Sequence, residues 1–510
     1  MSVRVALALA VVLSSVACGV RGTIPSAGSE EAAVAASTLV AASPCDAAWD
    51  DRTVFREGLV EKEQAVLDDL PGATVYRMDL EILSDLRVLV GYQEVCYTNR
   101  ESVPLDEVYF RTYPNIFGGG VTVSDVKVDG QQIEPVYELA NSAIRVPQDP
   151  PLQPGERVLV EMDFEVQVPD DMGGNYGLFG YFDGVLTLNE FYPVIPVYDD
   201  EGWNVEIPSP HADVSYYDAS FYLVRVTAPR GLVVVATGVT VGSARKGGNQ
   251  VITIAAGPAR GFYIAASDRY TLASQKVGET TVNVYAFKEG AEGAKLAMEH
   301  AVGSLKTFAS RFGPYPYTEF DLVSSPMQAL GMEYPGTVAI SLQLFDLDGE
   351  VRGVPVPMML PGTVVHEVAH QWFYNVVGND QVDEPWVDEA VVQYATGHHF
   401  FDVGGAGAER GYRDSWYERW DRVDRADIPI GLPTEGYSGK EYGAIVYGRG
   451  PLFVSALAER MGQETFDEFL RDYYETHKWG IGTGDAFREV AERHCQCDLT
   501  SLFQEWVYEK

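Results

Sequence analysis

The spacing of apolar residues changes once along the chain, and this change limits the folds available to it. Between residues 53 and 268, short runs such as residues 157–166 alternate apolar and polar side chains. Alternation with period two is typical of β-strands that keep one face in water. After about Thr271 the spacing becomes mainly helical. We therefore expect a multidomain α+β protein, with an antiparallel β-rich domain over 46–270 and a mainly helical domain over 271–510.

Local signals support this division of the chain. Asp129-Gly130 and Asp183-Gly184 lie between apolar runs, and such pairs accept the positive φ angles of type I′ hairpin turns. Downstream, the pattern predicts a helix over 292–312 and strands over 320–323 and 337–342. The first region therefore contains hairpins, and the second combines helices with a few strands.

The charge balance narrows the possible partners. The chain has 510 residues, with 74 Asp plus Glu against 37 Lys plus Arg and a net charge of -37. Such a chain repels a polyphosphate, so nucleic acid is not expected as a partner. An aromatic content of 12% and a single long apolar run at the N-terminus argue against a disordered or multispanning protein.

The first residues resemble an export signal. Residues 1–17 combine Arg4, an apolar stretch and small residues, and Ser15-Val16-Ala17-Cys18-Gly19 resembles the bacterial lipoprotein processing box, with Ser15 in place of the usual Leu. We expect acylation of Cys18 and a flexible tether over 18–45, which would anchor an exported lipoprotein in a bilayer at the cell surface or in the periplasm. Ordinary signal cleavage, or an unprocessed anchor, is the alternative.

An even number of cysteines follows the signal. Cys45, Cys96, Cys495 and Cys497 favour disulfides in an exported chain. Four cysteines allow three connectivities, and the sequence does not choose among them. A metal cluster at 494–497 is disfavoured because no second ligand pair lies near it.

One motif carries the chemistry. His366 and His370 are four residues apart, so on a helix both imidazoles project from one face and can share a cation. Glu389, separated from His370 by eighteen residues, lies in a second helical pattern and can supply a third ligand. Two imidazoles, one carboxylate and an open position are what a hydrolytic zinc ion requires, so one Zn²⁺ per chain is predicted. Glu367, next to the first ligand, is the candidate general base.

These residues and two further segments resemble one family, the zinc aminopeptidases related to aminopeptidase N and leukotriene hydrolase. Residues 330–336, Leu-Gly-Met-Glu-Tyr-Pro-Gly, resemble the Gly-Ala-Met-Glu-Asn segment of the family, and residues 446–450, Val-Tyr-Gly-Arg-Gly, resemble its Val-Tyr-x-Lys-Gly segment. The resemblance covers about residues 313–451. It implies a thermolysin-like fold for the second domain, with the active site where the two domains meet.

The resemblance also assigns further roles. Glu333 would bind the α-ammonium of a peptide, and the backbone of Gly331 and Met332 would lie along the substrate as an edge strand. Tyr447 would donate a hydrogen bond to the oxyanion of the tetrahedral intermediate, with Tyr442 as the alternative.

Several positions depart from the family pattern. Leu330 and Tyr334 replace its first Gly and its final Asn, which leaves the shape of the first-residue pocket open. Asp388 and Ala390 stand where Asn and Gly are common beside the third ligand, and we expect both to be tolerated because neither needs to bind zinc.

The sequence therefore predicts a zinc-dependent aminopeptidase that removes N-terminal residues from peptides. The alternatives are a zinc endopeptidase or a di- or tripeptidase with an open cleft, and, from another class, an inactive surface scaffold.

Asn189 or Glu190 is a weaker candidate for contact with the substrate amine. Adjacent His398 and His399 point to different sides of a helix and are poor co-ligands. The preferred first residue, the physiological substrate and the oligomeric state stay open.

Overall fold

Alternating apolar residues form a large sheet in the first half of the chain. The structure is a computed structural model that describes residues 45–172, 176–212 and 215–508. Side chains of the central strands alternate between buried and wet faces, as the period-two pattern predicts. The strands of this half are β1 Val75–Ile82, β2 Val88–Thr98, β3 Leu105–Arg111, β4 Gly120–Val128, β5 Gln131–Gln132, β6 Val136–Glu138, β7 Ala143–Leu152, β8 Arg157–Gln167, β9 Phe179–Phe182, β10 Val185–Leu188, β11 Tyr198–Asp199, β12 Gly202–Trp203, β13 Ser220–Pro229, β14 Val233–Ala236, β15 Val239–Lys246, β16 Asn249–Ala259 and β17 Ile264–Ser267.

These strands form several sheets. The largest has the order β15-β16-β13-β1-β2-β8-β4-β5, and it is antiparallel except for the parallel pair of β1 and β13. Smaller sheets have the orders β14-β17-β10-β9 and β3-β7-β6. Both Asp-Gly pairs adopt positive φ angles and close hairpins, β4-β5 at Asp129-Gly130 and β9-β10 at Asp183-Gly184. The predicted hairpins are therefore confirmed.

A five-stranded sheet introduces the second half. Its strands are β18 Tyr270–Val277, β19 Thr280–Phe287, β20 Glu319–Ser325, β21 Gly331–Tyr334 and β22 Thr337–Ser341, and two short strands follow, β23 Glu350–Val351 and β24 Val354–Pro355. The order is β18-β19-β20-β22-β21, with β19, β20 and β22 parallel and both edge strands antiparallel to their neighbours. The edge strand β21 carries residues 331–334, so one side of this segment has no neighbouring strand in the sheet.

Helices make up most of the remaining chain. The helix predicted over 292–312 is observed as α2, one residue earlier at each end. α4 contains one non-helical residue, Gly405 with φ 70°, which divides it into two arms. The helices are α1 Val66–Asp69, α2 Ala291–Arg311, α3 Val356–Ala369, α4 Trp386–Asp421, α5 Gly439–Ala444, α6 Gly450–Met461, α7 Gln463–His477, α8 Gly484–Cys495 and α9 Thr500–Trp506. A β-rich first half and a mainly helical second half confirm the predicted fold class.

Several expectations fall partly or wholly outside the structure. The export signal over 1–17 and Cys18 lie outside the described residues, as does all of the tether over 18–45 except Cys45. Within the described residues, no helix combines the length and the apolar character that crossing a bilayer requires. The described residues form one compact unit, and the domain boundary near residue 270 stays a prediction.

The structure selects one disulfide connectivity among the three that the sequence allows. Cys45 is bonded to Cys96, and Cys495 is bonded to Cys497. The first bond joins the segment before β1 to the end of β2, 51 residues away, and both cysteines are buried. The second closes a very small ring just after α8, so the first bond restricts the unfolded chain far more.

Removing the Cys45–Cys96 bond should destabilise the protein. We expect the double variant Cys45→Ala, Cys96→Ala to lose about 4 kcal/mol of unfolding free energy, because a loop of this length is freed in the unfolded state. The measurement is urea unfolding of the oxidised proteins, with thiol titration to verify the bonds. The matched control Cys495→Ala, Cys497→Ala should lose much less, and equal losses in the two variants would contradict the loop argument.

Candidate active site

The end of α3 carries the two candidate histidine ligands. α3 ends at Ala369, so His366 lies in its last turn and His370 directly follows it, with the His370 amide still donating to the His366 carbonyl at 3.3 Å. The helical geometry that the motif needs therefore extends to His370, the last residue of the motif. The two Nε2 atoms lie 3.3 Å apart, so both imidazoles point to one place.

Glu389 reaches the same place from the first turn of α4. Its Oε2 lies 3.3 Å from Nε2 of His366 and 3.7 Å from Nε2 of His370. α4 begins at Trp386, directly after Pro385, which agrees with the predicted helix start. The structure thus brings the three candidate ligands together, although they come from two helices separated by a 16-residue connection.

The geometry of this group fits a zinc ion. Zn–N and Zn–O bonds of about 2.0–2.1 Å at tetrahedral angles place neighbouring ligand atoms about 3.3 Å apart. The three observed separations lie near that value. Glu389 Oε2 is buried, and no hydrogen-bond donor of the described residues satisfies it. A buried carboxylate oxygen of this kind is a suitable ligand for a cation.

The electrostatics of the group also favour a cation. Burial lowers the pKa of His366, which favours the neutral form of the imidazole that a metal ligand needs. For His370, burial is outweighed by the carboxylates of Glu333 and Glu389, which raise its pKa. Burial also opposes ionisation of Glu389, but the two imidazoles hold its pKa well below the usual range. Burial and the neighbouring Glu389 raise the pKa of Asp388 to about 7.

Glu367 lies beside the candidate ligands and against the edge strand β21. It is 5% exposed, and a Cβ built on Gly331 would lie 2.0 Å from its Oε1. With Glu367 in this position, a side chain at residue 331 would have to displace the carboxylate. Gly331 therefore contacts the candidate base, in addition to its predicted place along the substrate.

Tyr447 also contacts the candidate ligands. Its hydroxyl donates to Oε1 of Glu389, the oxygen that does not face the imidazoles. Residues 445–449 form a π-helical turn between α5 and α6, an irregularity often found at functional sites. Tyr442, the alternative, is buried with its ring against His211 and Tyr447. The geometry thus favours Tyr447 for contact with a substrate bound at this group.

A small cavity lies beside β21, and one of its lining side chains, Glu333, has a carboxylate oxygen within 4.8 Å of a ring nitrogen of His370. Met332 and Glu333 line it, together with Asn189 and Glu190 from the β-rich half and Tyr374 from the segment after α3. Glu333 is 6% exposed, and Glu190 accepts hydrogen bonds from Tyr217 and Ser215. Burial raises the pKa of Glu190 to about 7. Two acidic side chains from distant parts of the sequence therefore border one cavity, which suits a cationic group.

Sequence reasoning missed the groups that orient the two imidazoles. Nδ1 of His370 donates to the carbonyl of Phe373 at 3.2 Å, which leaves Nε2 free for a cation. The side-chain amide of Gln393, one turn after Glu389, lies 3.4 Å from Nδ1 of His366, and Tyr412 donates to it at 2.8 Å. A half-turn of this amide presents its oxygen to an Nδ1 proton and its nitrogen to Tyr412, whose hydroxyl then accepts a hydrogen bond instead of donating one. The position of Gln393, four residues after the third ligand, was the available signal.

The other residues that the sequence analysis singled out lie elsewhere. His398 contacts the hydroxyl of Tyr394, and His399 contacts that of Thr307, so the two histidines do point apart as expected. Arg449, in the π-helical turn, is buried and donates to backbone carbonyls of 428, 505 and 506, so it braces the chain.

Comparisons with known proteins agree with this geometry. Residues 296–506 match the model of the peptidase family M1 domain. Aminopeptidase 2 of Candida albicans is 21% identical over 481 residues, covering 88% of this chain and 50% of that protein. A probable aminopeptidase 2 of Sulfurisphaera tokodaii is 21% identical over 440 residues, covering 82% and 51%. This chain therefore spans about half the length of these relatives.

Solved structures share the fold. The M1 zinc metallopeptidase of Deinococcus radiodurans is 18% identical, with a TM-score of 0.65 over 86% of this chain and 93% of that one. A mutant of it bound to a Tyr-Ser-Ala substrate is 19% identical, with a TM-score of 0.61 over 86% and 94%. At this identity the likeness shows the fold. Together with the domain match, it confirms the family resemblance that the three sequence segments predicted.

Replacing Gln393 should weaken metal binding. We expect Gln393→Leu to lower Zn²⁺ affinity about 10- to 100-fold, the usual effect of removing a hydrogen bond that orients a histidine ligand. The measurement is a competition titration of metal-free protein against a chromophoric chelator. Gln148→Leu removes another buried amide, on β7, and should leave the affinity unchanged. Equal affinities in Gln393→Leu and the unsubstituted protein would contradict the orienting role.

Proposed function

We propose that this chain, whose residues 296–506 form a peptidase family M1 domain, is a zinc-dependent aminopeptidase. One observation carries the proposal: Glu333, which borders a cavity together with Glu190, has a carboxylate oxygen within 4.8 Å of a ring nitrogen of His370, one of the three convergent candidate ligands. A site for a cationic amine beside a site for a hydrolytic metal fits the removal of N-terminal residues. The aminopeptidases among the relatives, and the peptide bound in the similar structure, support it.

Each protein group has a role in this reaction. His366, His370 and Glu389 would hold one zinc ion, which when bound acts as a Lewis acid on a carbonyl and acidifies water. Glu367 accepts the proton of the attacking water and then passes it to the leaving amine. Tyr447 donates a hydrogen bond to the carbonyl oxygen as negative charge develops on it. Glu333 pairs with the α-ammonium, which places the first peptide bond at the centre.

The arrangement of acidic groups argues against the alternatives. An endopeptidase must accept the uncharged backbone of a continuing chain beside Glu333, which leaves this buried carboxylate without a cationic partner. A scaffold without catalytic activity gains nothing from burying Glu367 next to two imidazoles and a third carboxylate. If the chain is an exopeptidase, the buried carboxylates at the site have cationic partners.

The function can be tested with blocked and unblocked substrates. We expect release of p-nitroaniline from a panel of aminoacyl p-nitroanilides, and no release from their N-acetylated forms, because acetylation removes the positive charge that Glu333 binds. Glu367→Gln should lower kcat by about 100- to 10,000-fold while zinc, measured by mass spectrometry, stays near one per chain.

The controls separate the two parts of the proposal. Hydrolysis that survives both N-acetylation and Glu333→Ala would reject the exopeptidase assignment. Normal turnover by Glu367→Gln would reject the proposed base. A metal-free protein that leaves every unblocked substrate intact after zinc is added would reject the function itself.

The location of the chain is a further proposal. We infer that it is exported and held at a membrane through acylated Cys18, on the basis of the sequence of residues 1–19. The pairing of Cys45 with Cys96 and of Cys495 with Cys497 supports an oxidising compartment, where disulfides persist.

Acylation predicts a change in fractionation. In a bacterial host, Cys18→Ala should move the protein from the membrane pellet to the soluble fraction, because acyl chains on Cys18 provide the anchor. Immunoblotting of the fractions measures this, and the mass of the N-terminal peptide reports the lipid. Equal membrane association of both proteins, with no added mass on Cys18, would contradict lipidation.

A further inference from the structure

A single side-chain amide connects the cavity to the helix that carries the third candidate ligand. Gln381 lies in the connection between α3 and α4 and is 2% exposed. Its Nε2 donates to Oε1 of Glu333 at 3.1 Å and to Oδ2 of Asp388 at 2.9 Å. A primary amide nitrogen has two hydrogens, so both are used, one for each carboxylate.

Asp388 fixes the other end of this contact. It precedes Glu389 on α4 and is 1% exposed, and its second oxygen accepts from Nδ2 of Asn379 at 3.1 Å. Each Asp388 oxygen thus has a side-chain amide donor, and Gln381 is held by an acceptor on a rigid helix. This anchoring leaves Gln381 little freedom to follow a movement of Glu333.

Glu333 depends on Gln381 more than Asp388 does. Carboxylate atoms of Glu333 and Asp388 both lie within 4.8 Å of a nitrogen of His370 and of each other, so the two like charges repel. The Gln381 nitrogen between them attracts both. Without it, the Glu333 carboxylate loses the one side-chain donor that the structure gives it among the described residues, whereas Asp388 keeps Asn379.

We propose that Gln381 is a positioning residue for amine recognition, which holds the Glu333 carboxylate in the orientation that receives the α-ammonium of a peptide. The inference rests on the proposed aminopeptidase function and adds to it. Gln381 touches neither the reacting bond nor the candidate ligands, so its effect passes through Glu333. Replacing it should weaken binding of the unblocked substrate more than it slows the chemical step.

A double-mutant cycle tests this transmission. We expect Gln381→Leu to raise KM for the best unblocked aminoacyl p-nitroanilide about tenfold or more, with kcat changed less than about threefold and zinc content unchanged. In a Glu333→Gln background, the same substitution should change kcat/KM less than about twofold, because the carboxylate it orients is already gone. Gln148→Leu is the matched control for exchanging a buried Gln, and it should not alter KM in either background.

If the effects of the Gln381 and Glu333 substitutions on kcat/KM are additive, the role of Gln381 is only structural. If Gln381→Leu lowers kcat/KM equally in the unsubstituted protein and in the Glu333→Gln background, or lowers kcat and zinc content together, the proposal is wrong. Gln381→Met, which keeps the length of the side chain and removes the donor, repeats the cycle if the Leu variant does not fold. Unsubstituted protein that hydrolyses unblocked anilides while the cycle is additive rejects only the positioning role. Protein that hydrolyses none of them rejects the proposed function as well.

Discussion

The site depends on the burial of acidic groups around two imidazoles. Glu333, Glu367, Asp388 and Glu389 are all at most 6% exposed, and all lie near His370 or its neighbours. Burying several like charges is costly unless a cation or hydrogen-bond donors compensate them. A divalent ion held, as proposed, by His366, His370 and Glu389 would supply that compensation, and the surrounding amides would supply the remainder. The same charges that require a cation also define where an ammonium group can bind.

Rigid elements around the site hold these charges in place. Trp372 and Trp386, at the two ends of the connection between α3 and α4, are fully buried. Arg260, from the end of the β-rich half, donates to the carbonyls of Val376 and Gly480 and packs directly on Gly378. The connection is therefore fixed by both halves of the chain. Fixed ligands lose little conformational entropy when a metal binds, which is why sites of this kind are built on packed elements.

The sequence predicts those parts of the site that depend on local spacing. The sequence places three of these residues, His366, Glu367 and His370, within five consecutive positions of one predicted helix. Glu389 follows at a distance that a short connection can span. Gln381 could not be found in this way, because its partner Glu333 lies 48 residues away and only the fold brings the two together. Glu190 was only a weak candidate, because its partner Tyr217 lies 27 residues away. The disulfide pairing and the parallel contact of β1 with β13 are non-local for the same reason. Periodicity fixes the type of each element, whereas sheet order depends on packing across the whole chain.

Three of the residues that depart from the family pattern have contacts that accommodate them. Asp388 adds a buried charge beside the third ligand, and Asn379 and Gln381 place an amide donor on each of its oxygens. Ala390 packs against Gly450, where a Cβ would lie 2.8 Å from that of Ala390, so the glycine admits the added methyl group. The ring of Tyr334 stacks on that of Tyr263 at 3.8 Å. Asp388, Ala390 and Tyr334 are thus accommodated by the residues that contact them, which allows the arrangement of the candidate ligands to be kept while most of the sequence differs from that of its relatives.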